Sequence, residues 1–218
     1  MADPRGLTMD AAAPAAHPVA TLALGRGRRL EYLTLAWNLV EGFLSVGVGI
    51  LAGSTALVGF GADSFIESAS GGVLLWRLQD REGHADREAT ALRLVGYSFY
   101  LLAAYVGFDA FHALFTGAAP DATWIGIVIA TLSLIVMPWL AHQKRKVAAV
   151  LDSRALEADS RQTDLCAYLS AILLGGLLLN ALLGWWWADP VAGLIMVPII
   201  ANEGRGALRG EICDGACH

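Results

Sequence analysis

The stretch TALVGFGADSFIESASGGVLLWRL (residues 55–78) is long and apolar enough to cross a bilayer, yet Asp63 and Glu67 lie near its middle. A spanning helix needs about 20 largely apolar residues. Each carboxylate at bilayer depth costs about 2.5–3.5 kcal/mol on insertion scales, so a pair requires a compensating partner, and a cation is the simplest one. The stretch therefore predicts a transmembrane helix that holds a buried cation site.

The remainder of the chain has the composition of a membrane protein. Of its 218 residues 56% are hydrophobic and 16% are charged, and the mean hydropathy is +0.54. Soluble domains carry about 25% charged residues. Six apolar stretches approach spanning length: residues 31–52, 55–78, 92–116, 122–142, 155–183 and 190–204. The predicted fold class is an all-α, multi-pass protein of the cell (inner) membrane with six transmembrane helices.

The basic residues predict how these helices are oriented. All fifteen Lys and Arg fall near the N-terminus, around the second and fourth connections or near the C-terminus, and none falls in the other connections. Because cytoplasmic loops are enriched in Lys and Arg, both termini are predicted to be cytoplasmic. The predicted domains are a disordered tail (1–28), a six-helix transmembrane domain (29–205) and a short cytoplasmic Cys/His tail (206–218). Breaks rich in charge are expected at 81–93 and 143–154.

Several classes of function lack their sequence signals. The formal net charge is −5, and no basic stripe points to nucleic acid. No phosphate-binding Gly-x-x-x-x-Gly-Lys-Ser/Thr loop, His-Glu-x-x-His or Ser–His arrangement is present, so neither ATP drive nor an enzyme is expected. Three cysteines without a secretory signal predict no disulfide framework. No resident cofactor is expected.

The spacing of Asp63 and Glu67 suits one shared ion. Residues i and i+4 lie on the same helical face with Cβ atoms about 5–6 Å apart. Counted from Thr55, the pair lies about 12 and 18 Å into a core about 30 Å thick, near the midplane. The alternative is a structural pair of protonated or Arg-paired carboxylates. Because no Lys or Arg is expected at matching depth in any span, cation binding is favoured.

The fifth span offers further donors on one face. Asp159, Gln162 and Cys166 follow the i, i+3 and i+4 rule, whereas Asp164 points nearly the opposite way. Cys166 is either a small buried apolar side chain or a thiolate ligand, and thiolates favour Zn²⁺ or Cd²⁺. Asp159 is a ligand, a residue on the ion's path from the cytoplasm, or a salt-bridge partner.

Two other polar pairs lie within predicted spans. Asn38 and Glu41 either line a cavity or hydrogen-bond to a neighbouring helix. Asp109 and His112 form either an exit vestibule or proton relay, or an internal Asp–His hydrogen bond.

A family resemblance is visible around the second span. The turn Gly53-Ser54-Thr-Ala-Leu, followed by Asp63 and Glu67, resembles the junction of the first two spans in cation diffusion facilitators. In that family a Gly-Ser-x-Ala-Leu turn precedes a His/Asp-x-x-x-Asp metal pair at the same offset. The resemblance implies that Asp63 and Glu67 are metal ligands.

The fifth span resembles the same family's Ala-Asp-x-x-His-x-x-x-Asp motif, beginning at Ala158. In this register Gln162 takes the His position and Cys166 takes the Asp position. A rival register pairs Ser160 with Asp164. Because the chain ends soon after the sixth span, a variant lacking the family's C-terminal cytoplasmic domain is expected.

Two secondary metal sites are also predicted. Gly83-His84 with Glu88 resembles the family's Gly-His-Gly-Lys-Ala-Glu loop, and Asp80 and His84 are spaced to hold an ion, although a solvated loop His is the alternative. Thiols and an imidazole near the C-terminus form a possible capture site for soft metals. Its members are Cys213, Cys217 and His218.

Together, the resemblance and the ligand chemistry predict a secondary transporter that exports a divalent metal, Zn²⁺ or Cd²⁺, in exchange for protons. By analogy with the family, a homodimer is expected. The alternative is a metal-binding membrane sensor or modulatory subunit that does not transport.

Overall fold

The computed structural model describes residues 18–79, 85–121 and 123–209, which form six α-helices and, within those ranges, no strand. The helices are α1 (Pro18–Ala52), α2 (Thr55–Gln79), α3 (Ala85–Thr116), α4 (Trp124–Leu151), α5 (Arg154–Leu183) and α6 (Ala188–Arg209). The all-α prediction is confirmed.

Five of the described helices are long and apolar enough to cross a membrane. They include α6, whose apolar stretch was the shortest of the six. The exception is α2, because Asp63 and Glu67 lower its hydropathy, although this helix packs against α1, α3, α5 and α6. That residues 55–78 cross the membrane, which would bring the number of spans to six, stays a prediction.

The helices extend beyond the apolar stretches. α1 begins at Pro18, so residues 18–28 are helical rather than part of a disordered tail. α3 begins at Ala85, and α4 continues to Leu151, so the predicted breaks at 81–93 and 143–154 are largely helical. Hydropathy marks where a helix leaves an apolar layer, whereas helical hydrogen bonding continues through good helix formers such as Gln, Lys, Arg and Ala.

The turn between α4 and α5 is correspondingly short. Asp152 has φ 48° and ends α4 in the left-handed region. Ser153 caps α5, where its side chain accepts a hydrogen bond from the Leu156 N–H. The basic residues before this turn are therefore held on a helix rather than in a loop.

Four helices form a closed group and two pack beside it. α1 packs against α2 and α4, α4 against α5, and α5 against α2. α3 and α6 pack on each other. α3 also contacts α2, and α6 contacts both α2 and α5. Fully buried apolar side chains fill the interior, among them Phe60, Phe99, Met137, Leu173 and Met196. The side chains of α2 that face inward are therefore enclosed by protein.

Glycines bring α1 and α2 into close contact. A Cβ on Gly61 would lie 2.8 Å from Ser45 Cβ and 2.8 Å from the Val46 nitrogen. A Cβ on Gly49 would lie 2.7 Å from Val58 Cγ2. Small residues at helix contacts allow such close backbone approach, which places the polar residues of α1 directly alongside α2.

Candidate metal site between α2 and α5

Helix α2 holds both predicted acids inside the protein. Asp63 is 6% exposed and Glu67 is 5% exposed. Nearby serines do not interrupt the helix, because their hydroxyls donate to carbonyls of the preceding turn: Ser64 Oγ to the Phe60 oxygen (3.2 Å) and Ser68 Oγ to the Ser64 oxygen (2.9 Å). The i, i+4 pair therefore lies on a continuous helix.

Helix α5 presents Gln162 and Cys166 to α2. Both side chains are buried, and Ser70 Oγ donates to Gln162 Oε1 at 3.2 Å. Cys166 is 2% exposed and lies within electrostatic range of Glu67. The structure thus brings carboxylate, amide and thiol groups into one region between the two helices.

This region contains buried polar atoms without partners. Glu67 Oε2 and Gln162 Nε2 have no hydrogen-bond partner in the part of the chain that the structure describes. Leaving a buried donor or acceptor unpaired costs about 1–3 kcal/mol, and more for a charged group. Native proteins contain few such atoms, so each requires an explanation, of which a bound ion is one.

The candidate ligands are not arranged at coordination distance. Within residues 18–79, 85–121 and 123–209, no three His, Cys, Asp or Glu side chains are grouped so that they could hold a metal ion. Asp63, Glu67 and Cys166 share a region but do not form a finished coordination shell. Their role as metal ligands stays a prediction.

Asp159 is a salt-bridge partner in this structure. Its Oδ2 lies 2.5 Å from Lys144 Nζ, which also contacts Glu31 Oε2 at 3.3 Å. Lys144 is fully buried and its charge acts on Glu67. Lys144 reaches this position because α4 continues through the predicted charged break and its side chain turns into the bundle. Its salt bridges among the described residues are to Asp159 and Glu31 rather than to Asp63 or Glu67. The expectation that no Lys or Arg lies at the depth of Asp63 and Glu67 stays a prediction.

The rival register directs its side chains elsewhere. Asp164 forms a salt bridge with Arg145 of α4, and Ser160 Oγ donates to the Glu157 carbonyl oxygen at 2.6 Å. Gln162 and Cys166 are the α5 residues that face α2.

Two acids near Asp63 were not predicted as part of the site. The charges of Glu203 on α6 and Glu41 on α1 both act on Asp63. Glu41 accepts hydrogen bonds from Ser64 Oγ (3.0 Å) and Trp37 Nε1 (3.3 Å), so it bonds to a neighbouring helix. The available signal for Glu203 was its position seven residues after the buried Met196, on the same helical face.

The N-terminal end of α2 is joined to α3 and α6 by hydrogen bonds. Ser54 Oγ donates to Asp189 Oδ1 at 2.5 Å, and Thr55 Oγ1 donates to Asp109 Oδ2 at 2.6 Å. The partner of Asp109 is thus Thr55, whereas the ring of His112 stacks with Phe108.

The secondary metal sites fall outside the described residues. This holds for Asp80 and His84 and for the C-terminal Cys213, Cys217 and His218. Both sites stay predictions.

Comparison with known proteins identifies relatives across most of the chain. A model of the cation efflux transmembrane domain matches residues 32–211. Transmembrane protein 163 of Xenopus laevis is 25% identical over 178 residues, 80% of this chain and 63% of that protein. An uncharacterized transporter of Methanocaldococcus jannaschii is 24% identical over 179 residues, 78% of this chain and 63% of its own length.

A further relative carries a functional name. The cation-efflux pump FieF of Shewanella oneidensis is 25% identical over 128 residues, 56% of this chain and 41% of the pump. The chain spans less than two thirds of the length of each of these three relatives.

Proposed function

Because the chain belongs to the cation efflux family of multi-pass membrane transporters, we propose that it exports a divalent transition metal from the cytoplasm across the cell (inner) membrane. The observation that carries this proposal is the buried pair Asp63 and Glu67 on α2, set against Gln162 and Cys166 on α5. Glu67 Oε2 has no partner there, and a bound cation would satisfy it.

The donor set favours soft or borderline metals. Asp63 and Glu67 supply carboxylate oxygens, Gln162 an amide oxygen and Cys166 a sulfur atom. Thiolates select Zn²⁺ and Cd²⁺ over Mg²⁺ or Ca²⁺, which prefer oxygen. Because the side chains are not yet at coordination distance, metal binding in this proposal draws α2 and α5 together.

Proton exchange follows from the same ligands. Metal binds carboxylates and a thiolate in their deprotonated forms, so binding releases protons. Protons arriving from the outer side displace the metal and occupy these groups on the return step. Rocking of one helix group against another then alternates access to the site. The α3–α6 pair beside the four-helix group is a natural division for that movement.

The proposed topology has six spans with both termini in the cytoplasm. In this proposal α2 spans the membrane as well as the five more apolar helices, since its acids face protein rather than lipid. The Lys and Arg distribution supports the orientation. The proposed assembly is a homodimer, by analogy with the family.

A proteoliposome assay tests transport directly. Under an imposed proton gradient, the wild-type chain should accumulate Zn²⁺ or Cd²⁺, and Asp63→Asn should fall to the level of protein-free liposomes. Asp121→Asn is the matched control, because Asp121 is exposed in the α3–α4 connection. Wild-type uptake by Asp63→Asn would show the proposal to be wrong.

A metal sensor or modulatory subunit is the second candidate. It is favoured by Gln162 and Cys166 at the family's His and Asp positions and by the lack of a finished coordination shell among the described residues. This candidate predicts metal binding that depends on Asp63, measured by calorimetry, with no uptake in the same liposomes.

A further inference from the structure

A second cluster of buried charges lies beside the candidate metal site. Lys144 Nζ of α4 contacts Asp159 Oδ2 of α5 at 2.5 Å, Glu31 Oε2 of α1 at 3.3 Å and Thr163 Oγ1 of α5 at 3.3 Å. The side chains of Lys144, Glu31 and Asp159 are 0%, 1% and 9% exposed. Side chains from α1 and α5 therefore converge on the ammonium group that α4 carries.

This cluster lies about one helical turn from the candidate ligands. Asp159 precedes Gln162 by three residues on α5. A Cβ on Gly71, four residues after Glu67 on α2, would lie 3.8 Å from Glu31 Oε2. One turn of helix rises about 5.4 Å. The cluster therefore adjoins the Glu67 end of the site, on the side where α5 begins and α4 ends.

The cluster holds two carboxyl groups for one ammonium group. Among the described residues, Glu31 Oε1 is buried without a hydrogen-bond partner. The three protons of Lys144 are matched by Glu31 Oε2, Asp159 Oδ2 and Thr163 Oγ1, so this lysine has no further donor for Glu31 Oε1 or Asp159 Oδ1. A divalent cation would neutralise both carboxylates.

The side chain of Lys144 is also one that a metal cation can displace. Its ammonium is a compact point charge on a flexible four-carbon stem, whereas an arginine would be fixed by a planar fork. The remaining groups are two carboxylates and one hydroxyl, all of them oxygen donors for a divalent ion.

We propose that Glu31, Asp159 and the Thr163 hydroxyl form a second divalent-cation site, whose position the Lys144 ammonium occupies in this conformation. An ion that arrives from the α5 N-terminal side displaces the ammonium and then lies next to Glu67. The inference rests on the proposed function only for the class of ion. Its alternative is a structural ion cluster that merely joins α1, α4 and α5, as buried ion pairs commonly do.

Removing the lysine tests whether a metal takes its place. Asp63→Asn serves as the background, because it disables the candidate site between α2 and α5. Adding Lys144→Met should tighten Zn²⁺ or Cd²⁺ binding about tenfold by calorimetry, since the competing ammonium is gone. Further addition of Glu31→Gln should abolish this gain. The control is Glu157→Gln, which breaks the exposed Glu157–Arg161 pair on the same helix.

A labelling measurement keeps the lysine and so avoids any folding defect of Lys144→Met. In the Asp63→Asn protein, Zn²⁺ should raise acetylation of Lys144 by an amine reagent, measured by mass spectrometry, because the ammonium is displaced. The exposed Lys146 is the internal control and should not change. With Glu31→Gln, labelling of Lys144 should no longer depend on metal.

The outcomes separate this inference from the transport proposal. Neither measurement requires transport, so absence of uptake by the wild-type chain leaves the second site standing. If Zn²⁺ leaves Lys144 labelling unchanged, or if metal binding after Lys144→Met is unaffected by Glu31→Gln, the cluster is structural only and the inference is overturned.

Discussion

The N-terminal end of α2 and its middle differ in how the carboxylates there are bonded. At the N-terminal end, the buried Asp189 accepts a hydrogen bond from Ser54 (2.5 Å) and the partly buried Asp109 accepts one from Thr55 (2.6 Å). Near the middle, Glu67 Oε2 has no hydrogen-bond partner among the described residues. The carboxylates at the N-terminal end are satisfied by short side chains with few rotamers, whereas Glu67 is not.

The difference separates a structural role from a functional one. A carboxylate that accepts from fixed hydroxyls holds helices together, because removing either partner leaves a buried group unpaired. A carboxylate without a fixed partner costs stability, and such a cost persists where function requires it. We therefore interpret the N-terminal end of α2 as a structural contact with α3 and α6, and its middle as the proposed cation site.

The largest expected effect comes from replacing the Glu67 carboxyl group by a neutral amide. Glu67→Gln should lower metal uptake about 100-fold, because a charged ligand is lost. It should leave thermal stability in detergent unchanged or raised, because a neutral amide is cheaper to bury than a carboxylate with one unbonded oxygen. Uptake into proteoliposomes and thermal unfolding are measured on the same preparation. If Glu67→Gln takes up metal like the wild type, or if it loses much of its stability, Glu67 has a structural role like that of Asp189.

At the N-terminal end of α2, in contrast, a substitution should lower stability. Asp189→Ala leaves the Ser54 hydroxyl without its acceptor and should lower the free energy of unfolding by about 1–3 kcal/mol. Denaturant unfolding in detergent measures this loss. Asp121→Ala, at an exposed acid, should change stability by less than about 0.5 kcal/mol. Equal stability of the two variants would contradict the structural role of Asp189.

A smaller effect, on metal preference, is expected from replacing the Cys166 thiol. Cys166→Asp should shift the preference between Cd²⁺ and Zn²⁺ about tenfold away from Cd²⁺, since a hard oxygen replaces a soft sulfur. Competition between the two metals in the uptake assay measures the ratio. A preference that does not move would remove Cys166 from the ligands and leave it as a buried apolar side chain.

The smallest effect concerns the hydrogen bond that joins α2 to α5. Ser70→Ala removes the donor to Gln162 Oε1 and should cost about 0.5–1.5 kcal/mol of stability. Ser98→Ala is the matched control, because the exposed Ser98 donates a hydrogen bond to the Leu94 carbonyl of its own helix. Thermal unfolding of both variants checks the contact, and an equal response would show that the Ser70 bond contributes nothing specific.

The helix boundaries differ from the ends of the apolar stretches in the sequence. Apolar stretches predicted the helices α1 to α6 but ended α4 too early, because a run of Gln, Lys and Arg reads as a polar loop. In the structure that run remains helical, and Lys144 turns inward to meet Glu31 and Asp159. Hydropathy measures preference for an apolar layer, and it carries no information about which partner a charged residue meets.

The sequence by itself determined the all-α membrane class, the helical continuity of Asp63 and Glu67, and the shared face of Gln162 and Cys166. These features depend on composition and on spacing within one helix, and both are local. Only the tertiary structure decided that Asp159 pairs with Lys144, that Asp164 meets Arg145 rather than α2, and that Glu203 lies near Asp63. Such pairings depend on which helices pack together and at what rotation, which no single helix encodes.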